Sequence, residues 1–472
     1  MKELDFYEGD VIRNSKGTVN IDGEDYVAEL SVVKGDIEIR VFAFRNMVKR
    51  KSFDMKSLQT VVFFSGLRYF RLFGMKLMGF SSRHLGSAEV FNDYTYKAKG
   101  ILHSRLDLNV LVDFQYVNLY SSEIKRWVGN TTKLNKIIAC AVNGQSHNHL
   151  KDASLIEFER NLDDARQVGV YYSYSYGGLD GIYTFGMSVK PYMKLDIGRL
   201  VGLDEIVNSY IELYMFMRFL IGKALDITNV FVYDAEGPFR EKVTLYMPEK
   251  VGGEFDIHGG TFYPYSSMYH DNSELQFPLA VFDRYFCKED AEISLLVRKF
   301  VNYSMVESVE EQFLGFYRII ERLTFKESHY VNESELLDFL DGIRDDLKCK
   351  FPILKMSKFK RVIITANKSK ENTERCIINF IESNPDAFIK KMGLDNIDVG
   401  DICKVRNKMT HQPFFSLTSD ELLYYRNVTK VLCIIMLMIR LGVPYDEIEN
   451  IAWRKRWWNT LSGSDGSRGD NI

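Results

Sequence analysis

The hydrophobic period of this chain switches once, and that switch constrains the fold more than any motif. Over residues 11 to about 184, β-branched and aromatic side chains recur at every second position in short runs broken by Gly, Asn and Asp. That period belongs to strands. After about Asp283, spacings of three and four take over through 292–303, 309–324, 333–348 and 419–441, which are helical periods. The two patterns do not interconvert, because each buries a different set of side chains. The expected class is α+β with the two kinds segregated: a β-rich region over 1–285, an all-α bundle over 286–460 and a short polar tail at 461–472. A chain of 472 residues also exceeds what one ordinary core serves.

Within the first region, residues 26–33, the turn Lys34-Gly35-Asp36 and residues 37–44 read as a hairpin, and 108–119 as a further long strand. A helix interrupts at 203–225, where Ile206, Tyr210, Leu213, Met217 and Leu220 share a face. Residues 230–282 return to strands and Gly-rich loops. In the helical region, shorter helices are expected at 373–382, 386–392, 398–410 and 446–457.

Composition narrows the function classes. Net charge is -3, with 46% hydrophobic and 26% charged residues, so the chain as a whole is globular and carries no global attraction for nucleic acid. A nucleic-acid site has to be a local patch. One candidate is 348–370, with eight basic residues, no acidic one, and Phe351 and Phe359 interleaved. Lys355, Lys358, Lys360 and Arg361 form its densest part and are candidate RNA-binding residues; a solvated helix face is the competing reading. The six cysteines form no CxxC pair, which argues against zinc and disulfides and fits a reducing cytoplasm with no cofactor or metal. The acidic start MKELDFYEGD does not resemble a signal peptide. The apolar run 431–439, between Lys430 and Arg440, is read as a buried core helix of a cytoplasmic protein.

The sharpest local pattern is Arg406-Asn407-Lys408-Met409-Thr410-His411. An Arg and a His this far apart recur by chance, and Arg322 to His329 is a second copy in this chain. Context favours the first: Asn407 follows the arginine directly, the segment closes a helix, and a long apolar helix follows. Gln412 precedes Pro413, which pushes it out of the helical region and leaves His411 in the last turn. Five residues at about 100° each set Arg406 and His411 roughly 140° apart on an ideal helix. Either the helix loosens at its end, or the site is assembled from two chains; an exposed Arg with a capping His is the plain alternative.

Weaker candidates are Asp113, Glu123 and Lys125, which mimic the strand-borne carboxylates and lysine of metal-dependent nucleases, and His147 with His149, more simply a polar loop. The Gly pairs at 252–253 and 259–260 lack the Lys and Ser/Thr of a phosphate loop and read as turns.

Residues 286–458 resemble the ApeA-like branch of the HEPN superfamily. The resemblance rests on 313–323 (FLGFYRIIERL), similar to the family's first core helix with its glutamate at Glu321, and on Arg406-Asn407…His411. The β-rich region resembles the domain paired with it in ApeA proteins, through 124–129 (IKRWVG), read as a strand-loop tryptophan, and through the 203–225 helix followed by the strand at Thr228. The resemblance implies an anti-phage, abortive-infection ribonuclease acting without metal as a homodimer or higher oligomer. Its catalytic residues would be Arg406, Asn407 and His411, supported by Glu321 and Lys408, and its partners RNA, with tRNA one candidate, and an unidentified phage trigger. Two rivals stand beside it: a non-catalytic nucleotide- or RNA-binding scaffold, and a metal-dependent nuclease in the β-rich region.

Overall fold

The computed structural model describes residues 12–33, 35–46, 58–84, 89–109, 113–142, 155–162, 165–178, 185–234, 242–248, 265, 277–287, 290–411 and 417–461. Lys34, His147, His149, the glycine pairs, Gln412-Pro413 and the tail lie outside the described residues. Two compact units divide between Ala291 and Glu292.

The first unit is built on β1 (Ile12–Ile21), β2 (Glu24–Val33), β3 (Asp36–Asn46), β4 (Thr60–Ser65), β5 (Arg68–Phe73), β6 (Lys76–His84), β7 (Glu89–Lys97), β8 (Gly100–Ser104), β9 (Asp113–Ser121), β10 (Ile156–Asn161), β11 (Gln167–Gly178), β12 (Phe185–Gly202), β13 (Ile227–Tyr233) and β14 (Lys242–Tyr246). Among the described residues these form one antiparallel sheet in the order β10-β11-β12-β9-β13-β14-β8-β5-β4-β1-β2-β3-β7-β6. The expected hairpin is present: β2 and β3 pair from Val27 opposite Phe42 to Val33 opposite Asp36. Alternation puts Ala28, Leu30 and Val32 inward with Ile37, Ile39 and Val41, and these join Val19, Phe63, Leu72 and Ile101 in a core wholly removed from water.

The other half of the sheet is covered by a helix. Here α1 (Ser122–Val128) and α2 (Thr132–Val142) precede α3 (Leu203–Ile221), which packs on β9 and β12 with Leu213, Phe216, Met217 and Leu220 buried. The expected 203–225 helix stops at Ile221 because Gly222 takes φ 81, a left-handed cap open to glycine. Tyr171, Tyr192 and Tyr120 stack across three strands of the sheet, with centroids 5.8 and 4.7 Å apart.

One expectation fails here for a local reason. The segment 124–129 is helical, not a strand-loop: Ser121 caps α1 by accepting from the Glu123 amide, and Trp127 turns inward to meet Phe277 edge-on at 5.3 Å. The helical character after Asp283 begins inside the first unit. Helix α4 (Ala280–Phe286) stacks Tyr285 on Phe216 at 4.1 Å, pairs Asp283 with Arg160, and accepts from Arg166 at the Phe286 carbonyl.

The second unit holds α5 (Ala291–Ser304), α6 (Val309–Thr324), α7 (Glu333–Gly342), α8 (Arg344–Lys350), α9 (Met356–Asn367), α10 (Thr373–Glu382), α11 (Asp386–Met392), α12 (Val399–His411), α13 (Ser419–Arg440), α14 (Tyr445–Arg454) and α15 (Trp457–Leu461). A two-stranded ribbon joins β15 (Glu327–His329) to β16 (Lys368–Lys370). The spine is α13, buried continuously from Val428 to Met438 and packed along α6. It is long and apolar enough by composition to cross a membrane, yet 67% of its most apolar window is buried inside the protein. A capping box at Thr418 and Glu421 starts it. Gly315 lets α5 and α6 approach, since a Cβ there would stand 2.3 Å from the Tyr303 ring.

Two of the expected helices are split. The 333–348 helix breaks at Ile343 into α7 and α8, and the 446–457 helix breaks at Arg456, which takes φ 52.

Candidate active site

Helix α12 carries the Arg-His segment on its last turns, and it runs as unbroken α-helix to His411. Of the two ways to reconcile the 140° divergence, a helix that loosens before His411 is therefore not what this chain does. The two side chains meet different surroundings. Arg406 is half-buried and turned toward α6, where its guanidinium carbon stands over the Tyr317 ring, while Nη1 donates to Asn407 Oδ1 at 2.9 Å. His411 is exposed and, among the described residues, has no hydrogen-bond or ion-pair partner. Asn407 and Lys408 are exposed beside it. The Thr410 hydroxyl donates back to the Arg406 carbonyl at 2.7 Å and to the Asn407 carbonyl at 3.3 Å, tying off the end of the helix.

Beneath Arg406 lies a small polar contact in an apolar setting. Tyr317 Oη and Cys403 Sγ are 3.3 Å apart, joining α6 to α12. Burial, then the hydrogen bond to Cys403, push the Tyr317 phenol well up, with the Arg406 charge working the other way. Burial likewise raises the Cys403 thiol. Both groups stay protonated at neutral pH, so the pair is a fixed neutral floor under a cation.

Glu321 sits one turn beyond Tyr317 on α6 and accepts from the Thr373 hydroxyl at 3.3 Å. Its charge and that of Arg406 both act on Tyr317 and Cys403. The structure thus groups Glu321, Tyr317, Cys403 and Arg406 across α6 and α12. Tyr317 and Cys403 were not singled out from the sequence; the one available signal was that Tyr317 stands four residues before Glu321.

The second copy of the motif does not converge. Arg322 pairs with Glu292, and His329 in β15 faces Glu333 at 3.5 Å. The basic stretch spans more than one element. Its residues are spread over α8, α9 and β16; Lys355, Lys358 and Arg361 are exposed along one side, whereas Lys360 pairs with Asp341.

The Asp113, Glu123 and Lys125 set is not strand-borne: Asp113 opens β9, while Glu123 and Lys125 lie on α1. Glu123 is buried as a structural hub, accepting from the Ser122 hydroxyl at 2.8 Å and the Asp226 amide at 2.7 Å, with Lys223 at 3.4 Å. Burial alone would raise its carboxyl, but these bonds and the Lys223 charge outweigh that and hold it below the ordinary value. Among the described residues no three His, Cys, Asp or Glu side chains converge as metal ligands.

Compared with family models, with curated proteins and with solved structures, the chain matches none.

Proposed function

We propose that the helical unit is a metal-independent endoribonuclease of HEPN type, acting as an anti-phage effector that cleaves RNA on infection, with tRNA one candidate substrate. The observation that carries the reading is the end of α12: an exposed imidazole and an anchored guanidinium on one unbroken helix. Cleavage of this kind needs a group to take the 2′-OH proton, a group to protonate the departing 5′-oxygen and a cation on the phosphorane charge. His411 serves in proton transfer, the role histidine most often fills in general acid–base catalysis. Arg406 offers its guanidinium to the scissile phosphate, and Asn407 steers that fork. As the 2′-oxygen bonds to phosphorus the 5′-oxygen leaves, so the products are a 2′,3′-cyclic phosphate and a 5′-hydroxyl. The divergence of the two side chains supports a site shared by two chains related by a two-fold axis. The β-rich unit would hold the nuclease off until a phage product binds.

A binding-scaffold reading has one observation in its favour, namely that among the described residues His411 has no partner to orient it. The two are separated by incubating purified protein with RNA in EDTA. The nuclease reading expects cleavage that His411→Ala reduces about 10²-fold to 10⁴-fold and His329→Ala leaves unchanged. Cutting that persists in His411→Ala, or that EDTA stops, overturns it.

A further inference from the structure

The turn between α14 and α15 carries a feature that the Arg406 site does not use. Along Trp453-Arg454-Lys455-Arg456-Trp457-Trp458, side chains sort sharply: Lys455 and Trp457 are buried, whereas Trp453 and Trp458 are 75% and 48% exposed, with Arg454 and Arg456 exposed between them. The sorting is imposed by the backbone. Lys455 closes α14 with its amide on the Ile451 carbonyl at 2.9 Å, and Arg456 takes φ 52, a left-handed conformation that costs a non-glycine residue roughly 1 kcal/mol or more. Buried Trp457 then anchors the start of α15. The outcome is a cleft of about 550 Å³ lined by Trp453, Arg454, Arg456, Trp458 and Asn459.

The chemistry of that lining selects its occupant. Two indoles left in water are an unsatisfied apolar surface, and a concave one. Among the described residues two guanidinium groups and no carboxylate line the cleft, so the local field favours an anion. Flat aromatic faces, cations and an amide together match the parts of a nucleotide: base, phosphate and base edge.

We propose that this cleft binds single-stranded RNA, with Trp453 and Trp458 stacking bases and Arg454 and Arg456 holding the backbone. As the place where a substrate strand is held it rests on the ribonuclease reading, so binding is measured in a chain that lacks the proton-transfer group. The probe is a fluorescein-labelled single-stranded RNA of about 12 nucleotides, titrated by anisotropy with full-length His411→Ala protein. Adding Trp453→Ala and Trp458→Ala should weaken binding at least tenfold, since stacking contributes about 1–3 kcal/mol per base; Trp→Phe at both positions should restore most of it. Arg454→Gln with Arg456→Gln should flatten the salt dependence. Thermal unfolding should stay put in the alanine variant, because both indoles are exposed. An alanine variant that binds RNA with unchanged affinity overturns the proposal, as does tryptophan-dependent binding of poly-glutamate or phosphatidylserine vesicles equal to that of RNA. If the wild-type chain cuts nothing while His411→Ala protein binds through its indoles, the cleft stands and the nuclease falls. If wild type cuts and the indole variants bind and cut equally well, the reverse holds.

Discussion

The guanidinium carbon of Arg406 stands 5.5 Å from the centroid of the Tyr317 ring, within the range where the π face attracts a cation. Tyr317 is itself fixed by burial and by Cys403, so the arginine is held from below by a rigid ring. This makes Tyr317 a positioning residue. Tyr317→Leu should lower RNA cleavage roughly 2-fold to 30-fold, the rate equivalent of about 0.5–2 kcal/mol. Tyr317→Phe keeps the ring and should stay within about twofold of wild type. A Phe variant as slow as the Leu variant, at equal thermal stability, would move the effect from the ring to the contact with Cys403.

A shared site makes a distinctive prediction about mixtures. Arg406→Ala and His411→Ala chains should each be inactive alone, whereas co-expressed chains should recover part of the wild-type rate, because one of the two composite sites then holds both intact side chains. Size-exclusion chromatography with light scattering should show at least a dimer. Mixed dimers with no activity would mean that each chain completes its own site.

Lys360 differs from its neighbours in having Asp341 as a partner, and this changes what neutralisation should do. Lys355→Gln, Lys358→Gln and Arg361→Gln together should reduce the slope of log affinity against log salt for single-stranded RNA by about 2, because three phosphates would no longer be neutralised by the protein. Lys360→Gln alone should leave the slope nearly intact. Equal slopes for wild type and the triple variant would return α9 to plain solvated surface.

Glu123 gives the β-rich unit a pH signature. Its carboxyl is held below the ordinary value in the folded chain, so the ionised form stabilises the fold above the unfolded carboxylate range, and that contribution disappears as pH falls through the folded value. At pH near 7, Glu123→Gln should destabilise the first unit by about 2 kcal/mol, the usual scale for hydrogen bonds to a charged group. The gap should narrow as pH falls below the ordinary carboxylate range and be smallest once pH has passed below the folded value. Urea unfolding at several pH values tests this, and a gap independent of pH would show that charge is not the cause.

How much of this was legible from sequence depends on how local each signal is. The limits of 309–324 and 373–382 are set by Ser308 and Asn372, whose side chains accept from the first-turn amides, so the pattern and the cap coincide. Trp127 was misplaced because a seven-residue helix is too short to show a period, although Ser121 was already its cap. The Arg406 and His411 spacing could be read directly, but the Tyr317 floor could not, because α6 and α12 meet only in the folded bundle. The run 453–458 (WRKRWW) was visible as composition; what was hidden is which indole turns inward.

Strand β14 lies between β13 and β8, its Tyr246 opposite Ile101, and it is the link through which the two halves of the sheet become one. Among the described residues β14 is the strand that pairs with the outer edge of β8, so on the ribosome that edge lacks its partner until residues 242–246 leave the exit tunnel. Unsatisfied amides and carbonyls on such an edge are a template for pairing with a neighbouring nascent chain. Synthesis rate across residues 105–241 should therefore govern the yield of soluble protein, and chaperone dependence should fall on this interval rather than on the helical unit that follows.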